Sequence, residues 1–254
     1  VYLHVDTREA MGANMLNTML EALKPVLEEL SQGQSLMGIL SNYATDSLVT
    51  ASCRIAFRYL SRQKDQGREI AEKIALASQF AQADPYRAAT HNKGIFNGID
   101  AVLIATGNDW RAIGAGAHAF ASREGHYQGL SQWTLDLERE ELVGEMTLPM
   151  PVATKGGSIG LNPRVALSHE LLGNPSAKEL AQLIVSIGLA QNFAALKALV
   201  STGIQQGHMK LQAKSLALLA GASESEVAPL VERLIADKTF NLETAQRYLE
   251  NLRS

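Results

Sequence analysis

Residues 132–148 read Gln-Trp-Thr-Leu-Asp-Leu-Glu-Arg-Glu-Glu-Leu-Val-Gly-Glu-Met-Thr-Leu. Apolar and polar positions in this stretch predict two strands, over 132–137 and 141–148, joined by the charged link Glu138-Arg139-Glu140. Helical patterns stand on both sides of the pair and do not alternate with single strands. The sequence therefore predicts an α+β chain, in which antiparallel strands and helices are segregated.

Two helices are predicted before this strand pair. Apolar residues recur at helical spacing over 68–83, and Asp84-Pro85 ends the segment, because the residue before a proline avoids helical angles. The turn Gly107-Asn108-Asp109 then starts an Ala- and Gly-rich helix over about 110–122. The polypeptide between these helices is apolar and rich in small residues.

The chain after the strand pair is predicted to be helical. Beyond a loop rich in Pro and Gly, Ser176 and Glu179 have capping-box spacing and open a long apolar helix that runs through Val200. Three shorter helices follow Gly203 and Gly207 and form a small helical appendage.

The first 45 residues predict a strand, a helix and a strand. Residues 1–5 alternate in the period of a strand, and a helix capped by Asp6 or Thr7 follows. Residues 35–40 indicate a second strand, with Asn42 just beyond it. We expect this segment to be the end of an α/β or α+β unit.

Composition narrows the class of protein. The 254 residues are 46% hydrophobic, and 23 Lys and Arg face 26 Asp and Glu, so the chain lacks the basic field that binds nucleic acid or an anionic membrane. The uncharged stretch 179–197 is taken as too short and too polar to span a bilayer. The single cysteine, Cys53, is interpreted as a packing residue and fits a reducing compartment. We expect a soluble cytoplasmic protein.

No metal site or familiar nucleotide motif is predicted. The six histidines are scattered without the helical or short-loop spacing of metal ligands. The sequence also contains neither G-x-G-x-x-G after a strand nor the P-loop pattern. A bound nucleotide would therefore need another kind of site.

Three stretches are candidates for chemistry, and each has a structural alternative. In the first, Glu9-Ala-Met-Gly12-Ala-Asn14, a glycine in the first turn of a helix costs up to about 1 kcal/mol relative to alanine, which suggests close approach by a ligand. A contact between small residues of packed helices explains the same glycine.

The second stretch places Arg87, Lys93 and Asn97 in apolar, glycine-punctuated surroundings. A buried lysine has to be paired or reactive, and Asp109 is a possible partner. A solvated lysine and a helix-capping aspartate are the alternative interpretation. The third stretch contains His208, which is suited to proton donation if the appendage closes over a site, although a lone histidine is usually structural.

These stretches together resemble the hydroxymethylglutaryl-coenzyme A (HMG-CoA) reductase family, most closely its bacterial class II members. The matching pieces are Glu9-Ala-Met-Gly-Ala-Asn14, Asn92-Lys93-Gly94, Gly107-Asn108-Asp109 and Gly207-His208-Met209, in that order. The resemblance implies part of a small cofactor-binding α/β sandwich domain over 1–45, a larger, mainly helical substrate domain with a few strands over 46–202, and a three-helix flap over 203–254.

The same resemblance implies the reduction of HMG-CoA to mevalonate and CoA by two NADPH or NADH, without a metal. Lys93 would stabilise the oxyanion, Asp109 would tune that lysine, and His208 would protonate the CoA thiolate. The remaining implied roles are substrate binding by Arg87, Asn97 and Gln191, and dinucleotide binding by Met11, Gly12, Asn14 and Asn42.

One departure from the family concerns a catalytic glutamate in a Glu-Asn-Val-Ile-Gly-like stretch, which nothing in this sequence matches. The resemblance therefore implies the C-terminal portion of such an enzyme, from a dimer or larger assembly with active sites at the subunit interface. Two other interpretations remain open. One is a non-catalytic CoA-binding, dinucleotide-binding or oligomerisation fragment, and the other is an unrelated α+β oxidoreductase.

Overall fold

A computed structural model describes residues 1–63, 66–157, 159–201 and 204–253, with the backbone alone at 204–208. In chain order the elements are α1 (Ala13–Ser31), β1 (Leu48–Ala56), a 3₁₀ turn (Phe57–Tyr59), α2 (Gln66–Ala83), α3 (Pro85–Ala105), α4 (Trp110–Ala121), β2 (Ser131–Asp136), β3 (Glu141–Pro149), α5 (Pro163–Leu171), α6 (Ala177–Val200), α7 (Ile204–Leu219), α8 (Glu224–Ala236) and α9 (Leu242–Arg253). Helices and an antiparallel sheet are segregated, as an α+β chain requires.

The sheet has three strands in the order β1-β3-β2, and both pairs are antiparallel. The predicted strand pair is confirmed as β2 and β3, with Asp136 opposite Glu141 across the connection. Trp133 on β2 lies opposite Gly144 on β3, where a methyl group would come within 2.3 Å of the indole ring. Glycine at position 144 therefore makes room for a tryptophan that is 1% exposed.

Side chains of α2 complete the hydrogen bonding along β2. Gln82 Nε2 donates to the carbonyl oxygens of Gly129 (3.1 Å) and Ser131 (2.9 Å), and Ser78 Oγ accepts from the backbone N–H of Trp133 at 3.0 Å. Buried strand groups without a neighbouring strand need such partners. Helix α2 therefore covers this edge of the sheet.

Helices α3 and α6 approach each other closely at two glycines. A methyl group at Gly98 on α3 would lie 3.1 Å from Cβ of Gln191, and one at Gly188 on α6 would lie 2.9 Å from the side chain of Ile99. Small residues at both positions set the distance between these helices. Gly98 consequently lies against Ile187 and Gln191 of α6, and Gly188 lies against Ile99 of α3.

The two predicted N-terminal strands are wrong. Residues 1–5 and 35–40 form no regular element, and Leu36, Met37 and Ile39 are 88%, 66% and 59% exposed. An alternating pattern yields a strand only where another strand supplies backbone partners, and none lies beside either segment in the described part of the chain. The helix between them exists as α1.

The predicted cap of α1 is also misplaced. The carboxylate of Asp6 instead accepts from the N–H of Arg8 at 3.0 Å, and Thr7 Oγ1 donates to the carbonyl oxygen of Ala10 at 2.7 Å. These bonds form a turn, and α1 begins later, after Gly12. Local side-chain bonds of Asp and Thr favour turns as readily as helix caps.

The long helix predicted through Val200 is confirmed as α6, with the reciprocal Ser176–Glu179 bonds in place. Its length and composition would allow it to cross a membrane, alone among the helices of the described residues, so the expectation that it is too short and too polar is wrong. Leu180, Ile184 and Leu189 are buried in the protein. These buried positions show that one face of α6 packs against the core.

The chain divides into two compact units, Val1–Ala194 and Ala195–Ser254. In the second unit, α7, α8 and α9 surround a core that includes Ala213, Leu230 and Leu249. Helix α8 begins with a capping box between Ser223 and Glu226. The three predicted C-terminal helices are confirmed, whereas the domain limits at residues 45 and 202 stay predictions.

Candidate active site

The site residues with the clearest placement lie on α3. Asp84 caps this helix by accepting the backbone N–H groups of Tyr86 (2.7 Å) and Arg87 (3.3 Å), and Pro85 occupies the first helical position. Asp84-Pro85 thus ends α2 and starts α3. The sequence predicts the end of α2 but not the start of α3. One continuous helix carries Arg87, Lys93 and Asn97.

Lys93 and Asn97 occupy the exposed side of α3, one turn apart. Lys93 takes part in no ion pair among the described residues. Of the two interpretations of Lys93, the solvated lysine matches the described structure. Its ammonium group is accessible to an incoming ligand.

Arg87 lies about three turns before Asn97 and is half-buried. Burial lowers the pKa of its guanidinium, and it has no carboxylate partner within the described ranges. A partly desolvated arginine without an internal partner is well suited to an anionic ligand, because its fork of donors matches a carboxylate or phosphate.

Gln191 joins this group from α6. Its Cβ sits against Gly98, the residue that follows Asn97, and its side chain is half-buried. The close approach of the two helices at Gly98 and Gly188 therefore places Gln191 of α6 against Gly98, the chain neighbour of Asn97.

Asp109 caps α4, as the alternative interpretation of this residue predicts. Its Oδ1 accepts from the backbone N–H groups of Arg111 (3.0 Å) and Ala112 (3.1 Å), and its side chain is 45% exposed. No ion pair joins Asp109 to Lys93 within the described residues, and Asp109 Oδ1 lies 3.7 Å from Nε of Arg111. A tuning role for Asp109 stays a prediction.

A buried polar network, which the sequence patterns do not predict, connects α3 and α6 to the sheet. Asn192 Oδ1 accepts from Trp133 Nε1 and from Ser131 Oγ, both at 2.8 Å, and Ser131 Oγ lies 2.7 Å from Nε2 of His91. Since an indole N–H can only donate, Trp133 fixes which end of the Asn192 amide faces it. The network ties α3 and α6 to the sheet through side chains next to Lys93 and Gln191.

His91 is held neutral in this network. Burial, with a smaller contribution from the nearby charge of Arg87, lowers the pKa of His91 from 6.5 to about 4. If Ser131 donates to Asn192, then Nε2 of His91 carries the proton and Nδ1 keeps a lone pair, which is the buried atom without a partner. The only signal in the sequence is the one-turn spacing of Arg87 and His91.

We expect acid to destabilise the protein through His91. Between pH 6.5 and pH 4 the unfolded chain binds a proton that the folded chain excludes, so stability is complete above 6.5 and declines as the pH falls toward 4. At about 1.4 kcal/mol per pKa unit, the loss is about 3 kcal/mol. Urea unfolding at pH 7 and pH 4 measures it, and His91→Gln should remove most of the difference; an unchanged pH dependence would contradict this account.

The predicted dinucleotide residues Met11, Gly12 and Asn14 surround the start of α1. Gly12 is the N-cap with φ of 91°, a conformation that favours glycine, and a methyl group there would come within 2.3 Å of the Thr7 methyl. Helix α1 has no side-chain cap and no acidic residue in its first turn. Its first N–H groups are therefore available to an anion such as a pyrophosphate.

The other residues of this group are placed as follows. Met11 packs on a small buried cluster of Ala153, Ile159 and Val165, and Asn14 is exposed. Asn42 is exposed as well, and its carbonyl oxygen lies against Gly116 of α4, where a methyl group would meet it at 2.4 Å. His208 falls in α7, but its side chain is outside the described residues.

Within the described ranges, the structure contains a groove but no cluster of metal ligands. No group of three or more His, Cys, Asp or Glu side chains there could hold a metal ion. A groove of about 580 Å³ lies beside the dinucleotide turn, which is the segment 7–12 before α1 that carries the predicted dinucleotide residues Met11 and Gly12. The groove is lined by residues that include Thr7, Arg8, Ser47, Met150 and Lys178, and it contains none of the predicted catalytic residues. The geometry of α3 and α6, and not this groove, marks the candidate active site.

Comparison with known proteins identifies relatives that match most or all of the chain. The family described as hydroxymethylglutaryl-coenzyme A reductase matches residues 1–213. The 3-hydroxy-3-methylglutaryl-coenzyme A reductase of Archaeoglobus fulgidus is 46% identical over all 254 residues, which correspond to 57% of its own length.

Two solved structures from Streptococcus pneumoniae are also similar. A 3-hydroxy-3-methylglutaryl-coenzyme A reductase is 96% identical with a TM-score of 0.78, covering 98% of this chain and 59% of its own. A class II 3-hydroxy-3-methylglutaryl-CoA reductase bound to NADPH in open conformations is 96% identical with a TM-score of 0.78, covering 99% of this chain and 61% of its own. The chain thus spans about three fifths of these relatives, and it belongs to the hydroxymethylglutaryl-coenzyme A reductase family.

Proposed function

We propose that the protein reduces HMG-CoA to mevalonate and CoA, consuming two NAD(P)H and two protons. Membership of the reductase family supports this proposal. The observation that carries it is the pairing of Lys93 and Asn97, exposed one turn apart on α3, with Gln191 of α6 beside Gly98. This arrangement presents a cation and two amides to one substrate.

Lys93 stabilises negative charge at the thioester oxygen. When the dinucleotide is bound, it supplies a hydride to the carbonyl carbon, and the electron pair of the C=O bond moves to oxygen. An ammonium group without an internal partner is available to that oxygen and need not give up an ion pair first. Asn97 and Gln191 position the HMG portion, and Arg87 pairs with its carboxylate.

His208 protonates the sulfur that leaves. Cleavage of the C–S bond gives mevaldehyde and a CoA thiolate, and a protonated imidazole is a suitable acid for the thiolate. The second hydride transfer again places charge on an oxygen that Lys93 stabilises, and a proton completes mevalonate.

The start of α1 binds the dinucleotide in this proposal. Its uncapped N–H groups and the lack of acidic residues in its first turn suit the pyrophosphate, while Met11, Gly12, Asn14 and Asn42 line the site. Because Asp109 does not pair with Lys93 within this chain, we propose a dimer or larger assembly in which the site is completed at a subunit interface. The three domains over 1–45, 46–202 and 203–254, and a cytoplasmic location without nucleic-acid or membrane partners, belong to the same proposal.

A second candidate function is a non-catalytic fragment that binds CoA or the dinucleotide, or mediates oligomerisation. The observation that favours it is the span of the chain, about three fifths of its relatives. Oxidation of NADPH or NADH with HMG-CoA, measured for this chain alone and for the natural protein that contains it, separates the two. Turnover by the chain alone would exclude the second candidate, and no turnover by the natural protein would exclude the first.

Replacing His208 by Gln should slow thioester reduction much more than aldehyde reduction. Only the first reaction expels a thiolate, so the rate with HMG-CoA should fall about 100-fold and the rate with supplied mevaldehyde by less than about threefold. Initial rates with both substrates provide the measurement. Equal losses with both would rule out the role as acid for the thiolate.

A further inference from the structure

Glu9 makes a set of contacts that lock it into the protein. Its backbone carbonyl oxygen accepts from the N–H groups of Thr154 (2.9 Å) and Lys155 (3.1 Å). Its Oε2 accepts from the hydroxyl of Thr154 and from the backbone N–H of Ala177 at 2.9 Å. The residue at the head of the dinucleotide turn is therefore fastened to the 153–155 loop and to the first residue of α6.

These contacts identify Glu9 as a residue that serves the protein's own structure. The hydroxyl of Thr154, followed by the N–H of Ala177, lowers the pKa of its carboxyl. One oxygen thus takes two internal donors, and a charge-assisted bond of this kind is stronger than a neutral one. A cofactor would have to displace them in order to use that oxygen.

The other side of the same loop is tied to the turn before α4. Asn108 Oδ1 accepts from the N–H of Ala153 at 2.7 Å, and Asn108 Nδ2 donates to the carbonyl oxygen of Ala153 at 3.1 Å. Met11 also packs on the small buried cluster to which Ala153 belongs. Two adjacent residues, Ala153 and Thr154, therefore connect the dinucleotide turn to the turn that carries Asp109.

We propose that Glu9 and Thr154 are positioning residues, which hold the Met11–Gly12 turn against the loop at Ala153–Thr154 and so set the place of the nicotinamide dinucleotide relative to Asp109 and α6. The inference rests on the proposed function. It assigns to Glu9 a contact with the protein, not with the cofactor, and it gives the 153–155 loop a part in dinucleotide affinity.

Thr154→Val tests the bond between the two residues, because valine keeps the shape and removes the hydroxyl. In the natural protein we expect the KM for NADPH to rise about tenfold, which corresponds to about 1.4 kcal/mol. The KM for HMG-CoA and kcat at saturating NADPH should stay within about twofold. Thr154→Ser, which keeps the hydroxyl, should leave the KM for NADPH at the value of the unmodified protein.

Matched variants separate positioning from stability. Ser35 donates its hydroxyl to Glu28 at 2.5 Å in a similar hydroxyl–carboxylate pair, and Ser35→Ala should leave the KM for NADPH unchanged. Glu9→Gln keeps the size of the side chain but removes the charge, and it serves as the second test if Thr154→Val fails to fold. It too should raise the KM for NADPH.

Direct titration with NADPH, followed by its fluorescence in the absence of HMG-CoA, distinguishes this inference from the proposed function. If the natural protein binds NADPH but does not reduce HMG-CoA, the proposed function fails while the tenfold weaker binding of Thr154→Val still supports positioning. Unchanged NADPH affinity in both variants, equal rises in both KM values, or no rescue by serine would overturn the inference. Absence of NADPH binding by the unmodified protein would overturn both.

Discussion

Replacing Lys93 by Ala in the natural protein that contains this chain should lower kcat for NADPH oxidation with HMG-CoA by about 100- to 1,000-fold, the usual cost of removing one group that stabilises an oxyanion. Lys93 is exposed on α3 and makes no ion pair within the described residues. The free energy of unfolding should therefore change by less than about 0.5 kcal/mol. Steady-state kinetics and urea unfolding of the same preparation measure both.

A second lysine provides the control. Lys73 on α2 is also exposed and pairs with Glu69 at 2.6 Å, one turn away. Lys73→Ala should retain full activity with a similarly small change in stability. Full activity of Lys93→Ala would refute the proposed role of Lys93, and an equal loss in both variants would point to a general effect of surface charge.

Replacing Asn192 by Leu should lower the free energy of unfolding by about 4 kcal/mol. The indole N–H of Trp133 and the hydroxyl of Ser131 would both lose their acceptor, and an unsatisfied buried donor costs about 1–3 kcal/mol. Asn192 is 2% exposed, so water cannot replace the amide without opening the core. Chemical denaturation at pH 7 measures the loss.

Gln182 on the same helix is the matched control, because it is exposed. Gln182→Leu makes the same kind of change from an amide to an apolar side chain and should alter stability by less than about 0.5 kcal/mol. A small effect of Asn192→Leu, comparable with that of Gln182→Leu, would show that the buried network contributes little to the stability of the fold.

Local patterns with strong signals predict much of the fold. The strand pair around Glu138-Arg139-Glu140 and the capping box at Ser176 are confirmed, because each depends on residues within a few positions of one another. Strand β1 and helix α5 are not predicted. The alternating pattern of residues 35–40 predicts a strand that does not form, since a strand depends on a partner that local sequence cannot specify.

Part of the candidate site can likewise be predicted from the sequence, and part of it cannot. Lys93, Asn97 and Gln191 are identified from a resemblance in motifs, and the glycine contact of α3 with α6 brings their backbones together. The network of His91, Asn192 and Trp133 has no motif, because its members come from two helices and a strand and meet only in three dimensions. Besides the one-turn spacing of Arg87 and His91, the sequence signal for this network is the presence of polar side chains in apolar segments.

The exposure of Lys93 has a consequence for the dielectric around the reaction. Two unit charges 4 Å apart interact by about 1 kcal/mol in bulk water but by about 4 kcal/mol at the effective permittivity of a protein surface. The exposed Lys93 on α3 lies between these two limits. In the proposed reaction, displacing water from the developing charge would therefore strengthen its interaction with the ammonium group toward the second value.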